Sequence, residues 1–144
     1  MAKLKDSIEI NVPVDKIWPL LTTPTAIRAW LEGIEVGEAT PDYPNVGSSF
    51  EWAYGVAGIS LKGAMTVTDM KPGQLIHYRI SGLITGTQRW DVSHSGNGVH
   101  VEVESDYTLS GGILGKVAEP FVQQSNAATL KKSLANLKRQ AEDI

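Results

Sequence analysis

The chain has 144 residues, 42% of them hydrophobic and 20% charged, with a net charge of −3 and no cysteine. That suits one soluble domain spanning 1–144 with a sizeable core, and it excludes disulfides, thiolate nucleophiles and cysteine-held metals. The acidic balance argues against nucleic acid as a partner, and without an apolar leader or a run of 18 apolar residues the expected address is cytoplasmic, with no stable membrane insertion.

The first segment, 3–11, alternates: Leu4, Ile8 and Ile10 share one parity, and Lys3, Lys5, Ser7 and Glu9 the other. This is a half-buried strand. Asp6 falls on the apolar parity, so it is either buried against an arginine such as Arg28 or Arg89, or placed where the strand frays. Asn11-Val-Pro-Val-Asp breaks the strand and offers Asn11 or Asp15 as a helix cap. Ile17, Trp18, Leu20 and Leu21 form one short helical face, with Pro19 close to its start. Thr23-Pro24 opens a second short helix with Ile27, Trp30 and Leu31 on its apolar side, and Gly33 ends it.

From residue 34 the pattern is strand after strand: 34–40, 48–54, 59–70, 75–81, 84–94 and 99–109. The separators carry turn chemistry, among them Pro44-Asn45 with Gly47, Lys71-Pro-Gly and Ser95-Gly-Asn-Gly. No helix-length segment intervenes, so short hairpins join neighbours and the sheet is antiparallel. The stretch 113–143 is a long helix of about 45 Å, with Leu130, Leu134, Leu137 and Ala141 on one face. Traced backward, that face runs through Thr129, Asn126 and Ser125 to Val122 and Ala118. The middle, Ser125 to Thr129, is small or polar where a packed helix would carry Leu or Phe. Either another backbone approaches there, or the stretch is simply exposed, or the helix roofs a space left partly unfilled.

These elements make an α+β layout: a curved antiparallel sheet of about seven strands wrapped around a long C-terminal helix, with two short helices after strand one. One helix about 10 Å wide cannot fill the concave side of so large a twisted sheet. The wording of the chain agrees. Ser7-Ile-Glu-Ile-Asn-Val-Pro-Val-Asp-Lys-Ile-Trp, Trp30, Met70-Lys-Pro-Gly, Trp90-Asp-Val, Asp106-Tyr-Thr-Leu-Ser-Gly-Gly-Ile-Leu-Gly and Ser133-Leu-Ala-Asn-Leu-Lys-Arg-Gln-Ala-Glu resemble the SRPBCC, or START/Bet v 1-like, superfamily in its bacterial polyketide cyclase/dehydrase and lipid-transport branch. The resemblance covers essentially the whole chain and implies the helix-grip fold. It specifies the ligand poorly, because that scaffold hosts carriers, receptors, cyclases and hydrolases.

Phe50, Trp52 and Tyr54 lie at spacing two, so one face of their strand is entirely aromatic. Tyr78, Trp90 and Tyr107 fall on the parities assigned to the concave side. Any one of these rings is ordinary core. Together with Met65 and the small roof residues Ser125, Asn126 and Thr129 they describe a small-molecule site, with Gln88, Ser105, Tyr78, Tyr107 and Asn126 as polar handles. In related folds the cavity opens between the helix and the early loops, which places Trp30 and Phe121 near its mouth. The expected role is binding or transport of a small hydrophobic ligand, a lipid, isoprenoid or polyketide-like molecule, by a monomer or weak homodimer without cofactor or metal. The alternative is a polyketide cyclase/aromatase or hydrolase that positions a substrate in the same cavity and uses Tyr or Gln donors near a carbonyl. A weaker alternative is a protein-binding role like that of Hsp90-activator domains. His77, His94 and His100 have neither metal-ligand spacing nor a neighbouring nucleophile, so they read as surface residues.

Overall fold

The structure is a computed structural model that describes residues 2–56, 58–109 and 112–143, and within them every side chain except Ala2, Val56, Ile59 and 112–126. Strand β1 (Ala2–Ile10) leads into helices α1 (Val14–Thr22) and α2 (Pro24–Trp30). Then come β2 (Ile34–Ala39), β3 (Ser49–Val56), β4 (Ile59–Lys71), β5 (Leu75–Gly82), β6 (Ile84–Ser95) and β7 (Gly98–Leu109), and helix α3 (Gly112–Glu142). The strands form one antiparallel sheet in the order β1-β7-β6-β5-β4-β3-β2. Hairpins join β2 through β7 in sequence, and α1 and α2 carry the chain from one edge, β1, to the other, β2. This is the helix-grip α+β fold.

Period-two patterning decides which face is inward. Phe50, Trp52 and Tyr54 on β3, Ile76, Tyr78 and Ile80 on β5, and Val99, Val101, Val103 and Tyr107 on β7 are all buried. On β4 the register slips between Val67 and Asp69, a bulge that lets Met70 turn inward as Met65 and Val67 do. On the outer face of β1 and β7, Lys3 pairs with Glu104 and Lys5 with Glu102, while His100 bridges Glu9 and Glu102.

Two close backbone approaches bend the sheet. A Cβ on Gly63 would stand 1.9 Å from the Ser81 carbonyl oxygen, and one on Gly86 would stand 1.9 Å from that of Asp106. Only a residue without a side chain fits at either place. Trp52 lies over the bare Cα of Gly63, its register partner.

Both sheet edges are occupied. Arg28, in the last turn of α2, donates from Nε to the Val36 carbonyl (2.8 Å) and from Nη2 to that of Gly37 (2.7 Å), which blunts the β2 edge. At the other edge Lys138 Nζ donates to the Glu9 carbonyl at 2.8 Å. Among the described residues α3 packs chiefly along β1, with lighter contact to β7 and β3. Leu134, Leu137 and Ala141 are buried on its inner side, as their three-and-four spacing predicts.

Two local expectations fail. Neither Asn11 nor Asp15 caps α1: Pro13 is the N-cap residue without a side-chain bond, and the Asn11 N–H donates to Glu142 Oε2 of α3 at 2.9 Å. Asp6 forms no ion pair with Arg28 or Arg89. It is half-buried and its Oδ1 accepts the Ser7 N–H at 2.8 Å.

Candidate ligand-binding site

The aromatic parity of β3 and the apolar rows of β4 to β7 converge on one side of the sheet, and α3 leans toward β1. Between them is a hollow of about 120 Å³. Phe50, Trp52 and Tyr54 form one wall, and Met65, Ile80 and Ile84 supply more of the apolar floor. Thr129, Leu130 and Ser133 on α3 form the described roof, while Leu31, Glu32 and Ile34, in and after the turn that leaves α2, close the side. Gly33 has φ of +74° in that turn, and its Cα faces Thr129 and Tyr54. A Cβ there would meet Thr129 Cγ2 at 3.0 Å, so the turn and the roof fit closely.

The polar groups in this lining are mutually oriented. Trp90 Nε1 donates to Gln88 Oε1 at 2.8 Å, and Gln88 Nε2 donates to Ser105 Oγ at 3.0 Å. On the roof side Glu32 donates its backbone N–H to Ser133 Oγ at 2.9 Å. The buried Asn136 donates from Nδ2 to the Trp30 carbonyl (3.2 Å) and to Glu32 Oε1 (3.1 Å), and accepts from Arg139 Nη2 (2.8 Å). These bonds lock the end of α2 to α3 and hold Glu32 at the hollow. Trp52 Nε1 and Tyr54 Oη are buried without a hydrogen-bond partner among the described residues.

Of the residues singled out in the sequence, Phe50, Trp52, Tyr54, Met65, Gln88, Trp90, Ser105, Tyr107 and Thr129 line the hollow together. Phe121, Ser125 and Asn126 lie outside the residues whose side chains are described. Trp30 and Tyr78 stand behind the lining rather than in it. Trp30 is buried under α1, donates Nε1 to the Leu20 carbonyl at 2.8 Å, and meets Trp90 edge to face at 5.5 Å. Tyr78 shares a 2.6 Å hydrogen bond with Tyr43 Oη, and both rings pack edge-on against Phe50. Burial pushes the Tyr43 phenol up to about 12 and that of Tyr78 well above its usual value, the latter reinforced by the facing Tyr43. Ala127 and Ala128, in the same small-residue stretch but outside the expected roof, are exposed.

Sequence reasoning read Leu4, Leu31, Ile80, Ile84 and Leu130 as plain apolar positions rather than lining, and it missed Glu32 and Ile34, which flank Gly33 in a turn with no periodicity to read. It also missed Ser133, although that residue lies four positions beyond Thr129 on the same helix face. Among the described residues no group of three His, Asp or Glu side chains is placed to hold a metal ion. Nor is any helix among them long and apolar enough to cross a membrane.

A curved seven-stranded sheet gripping one long helix defines the helix-grip class, and solved structures agree across the full chain. The Thermus thermophilus protein TTHA0849 superposes with a TM-score of 0.80 at 14% identity, covering 99% of this chain and 98% of its own. Protein CV1439 of Chromobacterium violaceum gives 0.74 at 13% identity, covering 97% and 96%. DynU16, a protein in the dynemicin biosynthetic locus, gives 0.66 at 17% identity, covering 97% of this chain and 47% of its own. At these identities the likeness is one of fold. The chain belongs to the family of polyketide cyclase/dehydrase and lipid transport proteins, whose model matches residues 1–142. No curated protein matches the sequence.

Proposed function

We propose that this protein binds a small hydrophobic molecule in the hollow between sheet and α3, and that its role is to hold or carry that molecule. One observation carries this: a hollow of about 120 Å³, walled by Phe50, Trp52, Tyr54 and Trp90, lies on the buried face of the sheet beneath α3. Cavities of roughly 150 Å³ lined by apolar side chains stay dry and take up benzene. The guest supported by this volume is therefore about the size of one substituted ring. A long acyl chain would require the roof to move. Membership of a family described by both cyclase/dehydrase activity and lipid transport supports a small apolar guest without selecting the chemistry.

Methyl NMR with toluene or indole tests the proposal. Entry of a ring shifts the methyl resonances of Met65, Ile84 and Leu130, all of which line the hollow, and the shifts saturate together. Native mass spectrometry of the purified protein would in addition reveal a guest retained from the host cell. Shifts scattered over surface methyls, or none at any ligand concentration, would overturn the proposal.

A further inference from the structure

Two polar side chains interrupt the apolar inner face of the sheet at facing positions. Gln88 shares its parity on β6 with Ile84 and Trp90. Ser105 shares its parity on β7 with Val101, Val103 and Tyr107, and the two are register partners. Their bonding fixes the direction of each. An indole nitrogen only donates, so the Gln88 atom facing Trp90 Nε1 is the amide oxygen. The amide nitrogen therefore faces Ser105 Oγ, which accepts. This leaves the second amide hydrogen of Gln88 and the hydroxyl hydrogen of Ser105 without an acceptor among the described residues. Ser105 is 6% exposed, and buried donors are rarely left unmade. Trp52 Nε1 and Tyr54 Oη, also in this lining, are two further buried donors without partners among the described residues.

Charge supplies the second condition. Among the described residues no Lys, Arg or His lines the hollow, and Glu32 stands at its side. Among the described lining residues an anionic guest would meet a carboxylate and no cation, which is unfavourable. At the Gln88–Ser105 pair the groups still unmade among the described residues are donors, so the atom of the guest that meets them is an acceptor.

Building on the proposed function, we infer that the guest is a neutral ring compound carrying a carbonyl oxygen, an aryl ketone or quinone, and that Gln88 and Ser105 read that oxygen. Trp90 is a positioning residue: by occupying the amide oxygen it keeps the Gln88 donors turned to the guest.

The test compares acetophenone with ethylbenzene, which has nearly the same shape and no oxygen, by methyl NMR titration of the full chain. Acetophenone is expected to bind about fivefold to tenfold more tightly, the worth of one net hydrogen bond. Ser105→Ala and Gln88→Met are each expected to shrink the acetophenone-to-ethylbenzene affinity ratio toward one, the ratio being read within each variant. The carbonyl stretch of bound ¹³C=O acetophenone should lie below its value in hexane and return toward it in Ser105→Ala. Equal binding of the two compounds, as when an undisplaced water satisfies both donors, overturns this inference and leaves the proposed binding role standing. If neither compound shifts the lining methyls, both fail. The wild-type comparison decides the matter even if one variant does not fold.

Discussion

Filling the hollow should stabilise the protein, and the sign of the change is the test. Met65 lies at the centre of the concave face, between Phe50 of β3 and Ile80 of β5, and it lines the hollow. Met65→Trp replaces a flexible thioether with an indole that extends into the empty space, at a strand position where an aromatic is favoured. If the indole occupies about half of the 120 Å³, a cavity coefficient of about 24 cal/mol per Å³ returns about 1.4 kcal/mol. For 144 residues the unfolding entropy is about 0.3 kcal/mol/K, so Tm should rise by about 5 °C. Calorimetry and guanidinium unfolding give the two numbers independently. The same variant should lose the methyl shifts that toluene induces. If the space is closed in solution, the indole overpacks the core and costs about 1–3 kcal/mol instead. A Tm that falls while ligand binding persists would refute the reasoning outright.

Three further outcomes follow from the packing. Leu137 is fully buried on α3, so Leu137→Ala should cost about 2–5 kcal/mol in urea unfolding. Asn136→Ala removes the bonds to the Trp30 carbonyl and Glu32 Oε1 and strands a buried carbonyl. It should cost about 2–3 kcal/mol and speed amide exchange at Leu31 and Glu32 ahead of the sheet. The Tyr43 phenol is held up to about 12 by burial, above its ordinary value of 10. Between these pH values the unfolded chain releases that proton while the folded one retains it, so stability is full below about pH 10 and falls as pH rises toward 12. Tyr43→Phe should lessen this alkaline slope in urea unfolding at pH 10 to 12 by the share due to Tyr43, burial of Tyr78 supplying the rest, and an unchanged slope would count against the buried tyrosine pair.

The strands and their inner faces were legible because period-two alternation is local and survives burial. Val99, Val101, Val103 and Tyr107 announce themselves within ten residues, and so do Phe50, Trp52 and Tyr54. Parity specifies which face a side chain takes but not how far along the sheet it stands. Tyr78 illustrates this: it points inward and is buried, yet it lies past Phe50, bonded to Tyr43 from the loop between β2 and β3. Trp30 fails for a related reason, since its indole turns back to the Leu20 carbonyl and supports Trp90 from behind. Glu32 was invisible because its place depends on Gly33 at positive φ and on Asn136, 104 residues away in sequence.

The hollow itself follows from a mismatch that composition alone does not contain. A twisted sheet of this size curls, and Gly63 and Gly86 admit a neighbouring carbonyl to within a distance that no Cβ tolerates. The helix does not follow the resulting concavity, because Lys138 and Glu142 tie its C-terminal turns to the Glu9 carbonyl and the Asn11 N–H at the β1 end. With one end anchored to an edge strand and Asn136 bonded to the Trp30 carbonyl, the described part of α3 has no freedom to sink toward β4 and β5. Phe50 and Trp52 line the hollow opposite Thr129, Leu130 and Ser133 of the described part of α3. Larger residues on α3 at Thr129 or Ser133 would have closed that gap, and the chain carries two hydroxyl side chains there instead.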